Sequence, residues 1–503
     1  MHLVTRSPLP HHSRVFARKP IESHGPRETG LRRALGAIDL IALGVGAIVG
    51  AGIFLTIGTA AAGEGTVRPG AGPAIVLSFV LTGVACSFSA LCYAEMAAMI
   101  PVAGSAYTYT YATLGEIVAW IIGWDLLIEY AAGNVAVAIS WSGYFQELVA
   151  DVADLLLGRS LRLPPWLTHG WRHAPPEALA TAPRLGGLPV IVDLPAAAIV
   201  LVITWILVVG VKTSARVNLW LVAIKLVVLL FFIAVGIHFF DARNWFPPDG
   251  SPAWRSFAPN GWHGIATGAA IVFFAYIGFD AVSTAAEETR DPTRDLPIGI
   301  LGSLGVCTLL YVAVAAVLTG MTPWQRLGSA EPLATALSTK GLTWASAIVA
   351  LGSVVAHTAV LLVFQLGQPR IFFAMARDGL LPAWCAAVHP RYGTPHVTTV
   401  LTGLVVAAFA AWFPVDEIVD LTNIGTLFAF VLVACGVLVL RVVEPDRPRD
   451  FRAPCVWVTA PLAIATCILL MAYLPPATWI RFAVWLSIGL ALYVARLARP
   501  QMA

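Results

Sequence analysis

The sequence is poor in charge. Only 12% of its 503 residues are Asp, Glu, Lys or Arg, and the net charge is +3. An average soluble domain carries roughly twice that charged fraction, about 25%. A soluble globular chain is therefore excluded, and the net charge of +3 gives no pointer to a nucleic-acid partner. Cysteine is scarce as well. The seven cysteines are scattered and form no CxxC or metal-ligand spacing. Cys86, Cys92, Cys307, Cys435 and Cys467 fall in apolar stretches and read as buried free thiols. HExxH, GxSxG and P-loop lysine motifs are missing. That leaves an ATP-driven pump or an intramembrane hydrolase without support, so the chain does not read as an enzyme. No motif calls for a metal or cofactor, and no obligatory partner subunit is evident. Met1 to Arg33 is basic, rich in Pro and His, and lacks an apolar core. It reads as a disordered cytoplasmic tail rather than a cleavable signal peptide.

Apolar residues are what the chain has in abundance: 58% of the sequence, with a mean hydropathy of +0.80. This is the composition of an all-α polytopic membrane protein. Twelve apolar runs lie near 36–60, 72–100, 115–149, 189–210, 215–240, 262–288, 297–321, 343–375, 396–414, 421–442, 454–474 and 477–497. A helix needs about 20 apolar residues to cross a bilayer. Runs three and eight are long enough to tilt or to extend past it. The longest connection, Ala150 to Leu188, is polar and Pro-rich and reads as an external loop. With the N-terminus inside, 20 of the 31 Lys and Arg residues fall on inner segments and ten on outer ones. That asymmetry places both termini in the cytoplasm.

Gly44 to Gly58, "GVGAIVGAGIFLTIG", organises the rest. It lies in an apolar run yet carries five glycines. Gly46 and Gly50 form a GxxxG, which taken alone points to close helix packing. Backbone freed by breaking a helix in lipid needs partners in the protein or a cavity. Val49 to Gly52 is therefore a place where the helix can open towards a ligand. Run six has a second such place at Ala275–Asp280, where Gly278 sits among Phe273, Phe274, Tyr276 and Phe279. Runs one and six are each the first of five. Interrupted segments at matching places in two halves point to a transporter site. Five helices per half turn the second half over, giving an inverted repeat.

Lys225 lies in run five, about seven residues from its inner end. Burial disfavours the charged form, which makes it a candidate proton carrier; a permanent ion pair with an acid of run three is the alternative. Asp125 and Glu129 are four apart on run three and share a helix face. They are positioned to line the pathway, to pair with Lys225, or to play a structural role. Glu95 is expected in a cytosolic gate network. Asp280 follows the break in run six, and Glu287 and Glu288 are expected beside Arg290 and Arg294. His357, alone in run eight, reads as a satisfied core residue.

Four stretches carry a family resemblance: "GVGAIVGAGIF" (Gly44–Phe54), "YAEMAAMIPVAGSAYTYTYATLGE" (Tyr93–Glu116), "FFAYIGFDAVSTAAEETRDPTRDLPIGI" (Phe273–Ile300) and "RIFFAMARDGLLP" (Arg370–Pro382). Over about Leu31 to Arg499 the chain resembles the amino acid–polyamine–organocation superfamily, above all the bacterial branch of the cationic amino acid transporters. The resemblance implies the five-plus-five inverted repeat of the leucine transporter with two extra C-terminal helices. It implies that the amides of Gly50, Ala51 and Gly52 hold the substrate carboxylate, in keeping with anion binding at helix N-termini. Carbonyls of Ile48, Phe273 and Ala275, with Ile277 nearby, would hold the ammonium. Lys225 matches the family's lysine on helix five, the proposed proton-coupling group.

The expected domains are a tail at 1–33, a first repeat at 34–240 with an external loop at 150–188, a second repeat at 262–442, and a last helix pair at 454–497. The expected function is secondary transport of small neutral or cationic L-amino acids across the cell membrane, by proton symport. An exchanger of amino acids or polyamines is the nearest rival. A passive channel and a non-transporting sensor or membrane enzyme are more distant ones.

Overall fold

The twelve apolar runs each carry helix, and their numbering is kept for the segments. The computed structural model describes residues 17–18, 35–64, 68–100, 105–210, 215–248, 252–329, 331–449 and 451–498. The expected tail, apart from Ala17 and Arg18, lies outside the described residues, and so does Lys212. Segment one is Ala37–Ile48 followed by Ala51–Ala62. Segments two to five are Ile75–Met99, Glu116–Leu157, Leu194–Val209 and Ala215–Gly236. Segment six is Gly261–Val272 followed by the 3-10 stretches Phe273–Tyr276 and Phe279–Glu288. Segments seven to twelve are Pro292–Met321, Thr343–Arg377, His396–Trp412, Val415–Val443, Val456–Ala472 and Pro476–Ala498. Seven of these helices are long and apolar enough to cross a membrane, and the two halves of segment one together make an eighth such span, bent by 49°. Segments four, nine and eleven are shorter apolar helices.

Segment three runs 42 residues, to Leu157. The first eight residues assigned to the external loop are thus helical. The helix stops there because Gly158 adopts the left-handed conformation (φ 63°) that a side chain would resist. The rest of the loop holds the helix Pro176–Thr181 and a small hairpin, Arg184–Leu185 with Leu188–Pro189.

Hydrocarbon gives apolar side chains no reason to prefer one another, so such helices associate through close backbone approach and hydrogen bonds. Gly403 of segment nine seats against Thr204 of segment four, and Gly352 of segment eight against Val228 of segment five. Large apolar side chains instead face outward, among them Leu309 and Ile480. Segment two packs on seven, three on eight, four on nine, and one on six. Segment five packs instead on segments eight, seven and one.

At the end where segment two finishes, Glu95 is buried and takes a bidentate bond from Arg441 of segment ten (3.0 and 2.7 Å). It also accepts from the Ala453 amide at 2.8 Å and lies 3.4 Å from Arg449. Arg449 donates to the carbonyls of Leu440 and Glu444 and so closes the C-terminal end of segment ten. At the opposite end Arg68 joins Glu64 and Asp420, the latter at 2.8 Å. Cys86, Cys92, Cys307 and Cys467 are buried free thiols, whereas Cys435 is half-buried.

Candidate functional site

The two interruptions meet each other. Segment one leaves the helix at Val49 (ψ 91°) and Gly50 (φ −141°, ψ −150°). The opening is narrower than Val49–Gly52, because Ala51 and Gly52 already begin the second half-helix. Segment six breaks at Ile277 and Gly278, whose φ of +120° is open to glycine alone. A methyl on Gly52 would run into the Cα of Ala275. A methyl on Gly278 would lie 2.8 Å from the Ala47 carbonyl oxygen. Each break thus needs a glycine to seat the backbone of the other. Gly50 faces segment eight, where a methyl would come within 2.7 Å of a Val360 methyl group.

The first turn of any helix leaves amides without an intrahelical acceptor. Gly50 offers no side-chain cap to the second half-helix. Among the described residues nothing accepts from the amides of Gly50, Ala51 or Gly52. They form a buried, positively polarised cradle.

The first half-helix ends with carbonyls whose partners are now visible. Gly46 O takes the Lys225 amine at 3.0 Å. Ile48 O takes the Tyr311 hydroxyl at 2.9 Å, and the same hydroxyl reaches Ala275 O at 3.0 Å. Tyr311 of segment seven therefore bridges both breaks, a role the sequence reading missed. The available signal was a lone phenol in an apolar run, since a buried Tyr hydroxyl needs a polar partner. Each carbonyl keeps a second lone pair for an ammonium. Replacing Tyr311 with Phe leaves both oxygens without this donor, a loss of about 1–3 kcal/mol. The expected result is roughly tenfold weaker substrate binding. Radioligand binding to purified protein measures it, and an unchanged Kd removes Tyr311 from the site.

The acids are distributed differently from Lys225. No acidic partner of Lys225 occurs among the described ion pairs, so the pairing with run three is not formed. Asp125 and Glu129 do share a buried face, but they look towards segment ten: Asp125 lies against Gly425 and Glu129 beside Thr426. Asp280 is half-buried just past the second break, on the side of Glu129. Glu95 stands away from the breaks, in the network with Arg441. The side chains of Glu287 and Glu288 lie outside the described residues. His357 is satisfied on both ring nitrogens, by Ser140 at 2.8 Å and the Ser353 carbonyl at 2.6 Å. Phe273 and Phe279 pack on Phe430 of segment ten, with Tyr93 completing an aromatic cluster.

Residues 35–493 match the family model described as amino acid permease. The chain belongs to the amino acid permease family, within the amino acid–polyamine–organocation superfamily. The branched-chain amino acid permease BcaP of Bacillus subtilis (strain 168) is 45% identical over 483 residues, which cover 95% of this permease and 97% of that protein. The methylthioribose transporter of the same organism is 42% identical, covering 96% and 97%. The vacuolar cationic amino acid transporter 4 of Arabidopsis thaliana is 39% identical, covering 85% of this permease and 66% of that protein. The permease is thus a multi-pass membrane transporter of amino acids and not an enzyme.

Proposed function

We propose that this permease is a proton-coupled symporter of small neutral or cationic L-amino acids in the cell membrane, with both termini cytoplasmic. The excess of basic residues on the inner segments supports that orientation. Residues 34–240 and 262–442 form the two inverted repeats, and 454–497 the closing pair. The interlocked breaks carry the reading. Bare amides at Gly50, Ala51 and Gly52 face a zwitterion's carboxylate, and carbonyls at Ile48, Phe273 and Ala275, with Ile277 nearby, face its ammonium. Lys225 of segment five supplies a titratable group tied to the first half-helix through Gly46 O. Glu95 and its arginines serve as the cytosolic gate, while Asp125, Glu129 and Asp280 line the route towards it. The name of the Bacillus relative favours neutral branched-chain substrates over basic ones.

Uptake of labelled leucine, alanine and lysine into proteoliposomes, with and without an inward proton gradient, tests the reading. Gradient-driven accumulation of leucine and alanine is expected. Trans-stimulated uptake without proton movement would instead indicate an exchanger. The methylthioribose relative motivates a second reading, because that thio-sugar has neither carboxylate nor ammonium. Inhibition of uptake by methylthioribose but by no amino acid would favour it.

A further inference from the structure

Beyond lining the route, Asp125 and Glu129 have a further property. Asp125 and Glu129 stand one turn apart on segment three. Asp125 is fully enclosed, and neither of its carboxyl oxygens has a hydrogen-bond partner among the described residues. Oε2 of Glu129 is bare as well. The Asp125 carboxyl lies so close to segment ten that a methyl at Gly425 would sit 2.8 Å from Oδ1.

Glu129 has the Thr426 hydroxyl and Tyr130 beside it, but no described ion pair or hydrogen bond reaches the Asp125 carboxyl. On segment ten the Thr426 hydroxyl borders Glu129, but its proton goes to the Thr422 carbonyl at 3.1 Å. From segment six the nearby charged group is another acid, Asp280. On segment eight the Gln368 amide donates to Leu127 O, and His357 is taken by Ser140 and Ser353. The buried cations lie elsewhere: Lys225 of segment five donates to Gly46 O, and Arg68, before segment two, pairs with Asp420 and Glu64. An isolated carboxylate in such surroundings takes up a proton rather than remain charged. Among the described residues no group of three or more His, Cys, Asp or Glu side chains could hold a metal ion; a proton needs no such set.

We propose that Asp125 is a second proton-binding site, a neutral carboxylic acid while segments three and ten are packed together. Its O–H bond breaks, and the proton passes to water, when segment ten draws away and water reaches the niche. Its part in transport rests on the proton-coupled reading; its protonation does not.

Infrared spectra of the full-length purified protein at neutral pH test the protonation directly. The difference between wild type and Asp125→Asn should show the loss of a neutral-carboxyl carbonyl band that shifts on deuterium exchange. Asn preserves volume, and an unchanged melting curve confirms the fold. Gly425→Ala should shift that band without abolishing it. Superimposable spectra for Asp125→Asn, or an unshifted band in Gly425→Ala, overturn the proposal. In proteoliposomes with a pH-sensitive dye, Asp125→Asn should lower the number of protons carried per leucine; an unchanged ratio removes Asp125 from coupling. Lys225→Ala should keep the infrared band. If wild type moves leucine without protons, the symport reading fails, and the band still decides the state of Asp125.

Discussion

Lys225→Ala should abolish proton-driven accumulation of leucine while leucine–leucine exchange persists. The amine is nearly enclosed and donates to Gly46 O, in the last turn of the first half-helix. A helix C-terminus is the negative end of its dipole, so a cation there is stabilising by up to about 2 kcal/mol in buried geometry. That corresponds to roughly a thirtyfold bias on the position of the half-helix, present when the amine is charged and reduced when it is not. Alanine removes both the charge and the tie, so this pH-dependent bias disappears. Wild-type uptake should fall as external pH rises, and the variant should be flat. The test is labelled leucine uptake against an imposed pH gradient, with counterflow as the control. Wild-type pH dependence in the variant would falsify the assignment of Lys225.

Gly52→Ala should eliminate substrate binding, a harsher outcome than Gly50→Ala. The added methyl at Gly52 meets backbone, the Cα of Ala275, which cannot rotate aside. At Gly50 it meets a Val360 side chain, which has other rotamers. Overpacking typically costs about 1–3 kcal/mol even where side chains can adjust. With backbone on both sides, the two breaks must separate, and the cradle built on them is lost. Binding of labelled leucine to detergent-purified protein, checked for monodispersity, distinguishes the two variants. Equal affinities at both positions would contradict the interlock.

Much of this was legible in the chain. The length of apolar runs fixes where helices can cross, which is why all twelve runs carry helix. Glycine at Gly50 and Gly278 marks the two breaks, since both lie in apolar runs where an unbroken helix would be the default. What could not be read was juxtaposition. Whether Lys225 meets an acid or a carbonyl depends on how segment five rotates against segment one, and its own sequence does not encode that. The same holds for Asp125: its four-residue spacing from Glu129 is visible, whereas the absence of a hydrogen-bond partner for its carboxyl depends on what segment ten presents there. Tyr311 was identifiable as a buried phenol in need of a partner, but not as a bridge between two carbonyls far apart in sequence. The eight extra helical residues at the end of segment three escaped notice because Asp151 and Asp154 interrupt the apolar run there, although the other six residues are Ala, Val or Leu.

The mutual seating of Gly52 on Ala275 and of Gly278 on Ala47 has a consequence for how such proteins diversify. Two main chains in van der Waals register leave the floor of the cradle no spare volume to vary. Selection for new cargo can then act only on the walls, through positions such as Val360, while the floor is inherited as one unit.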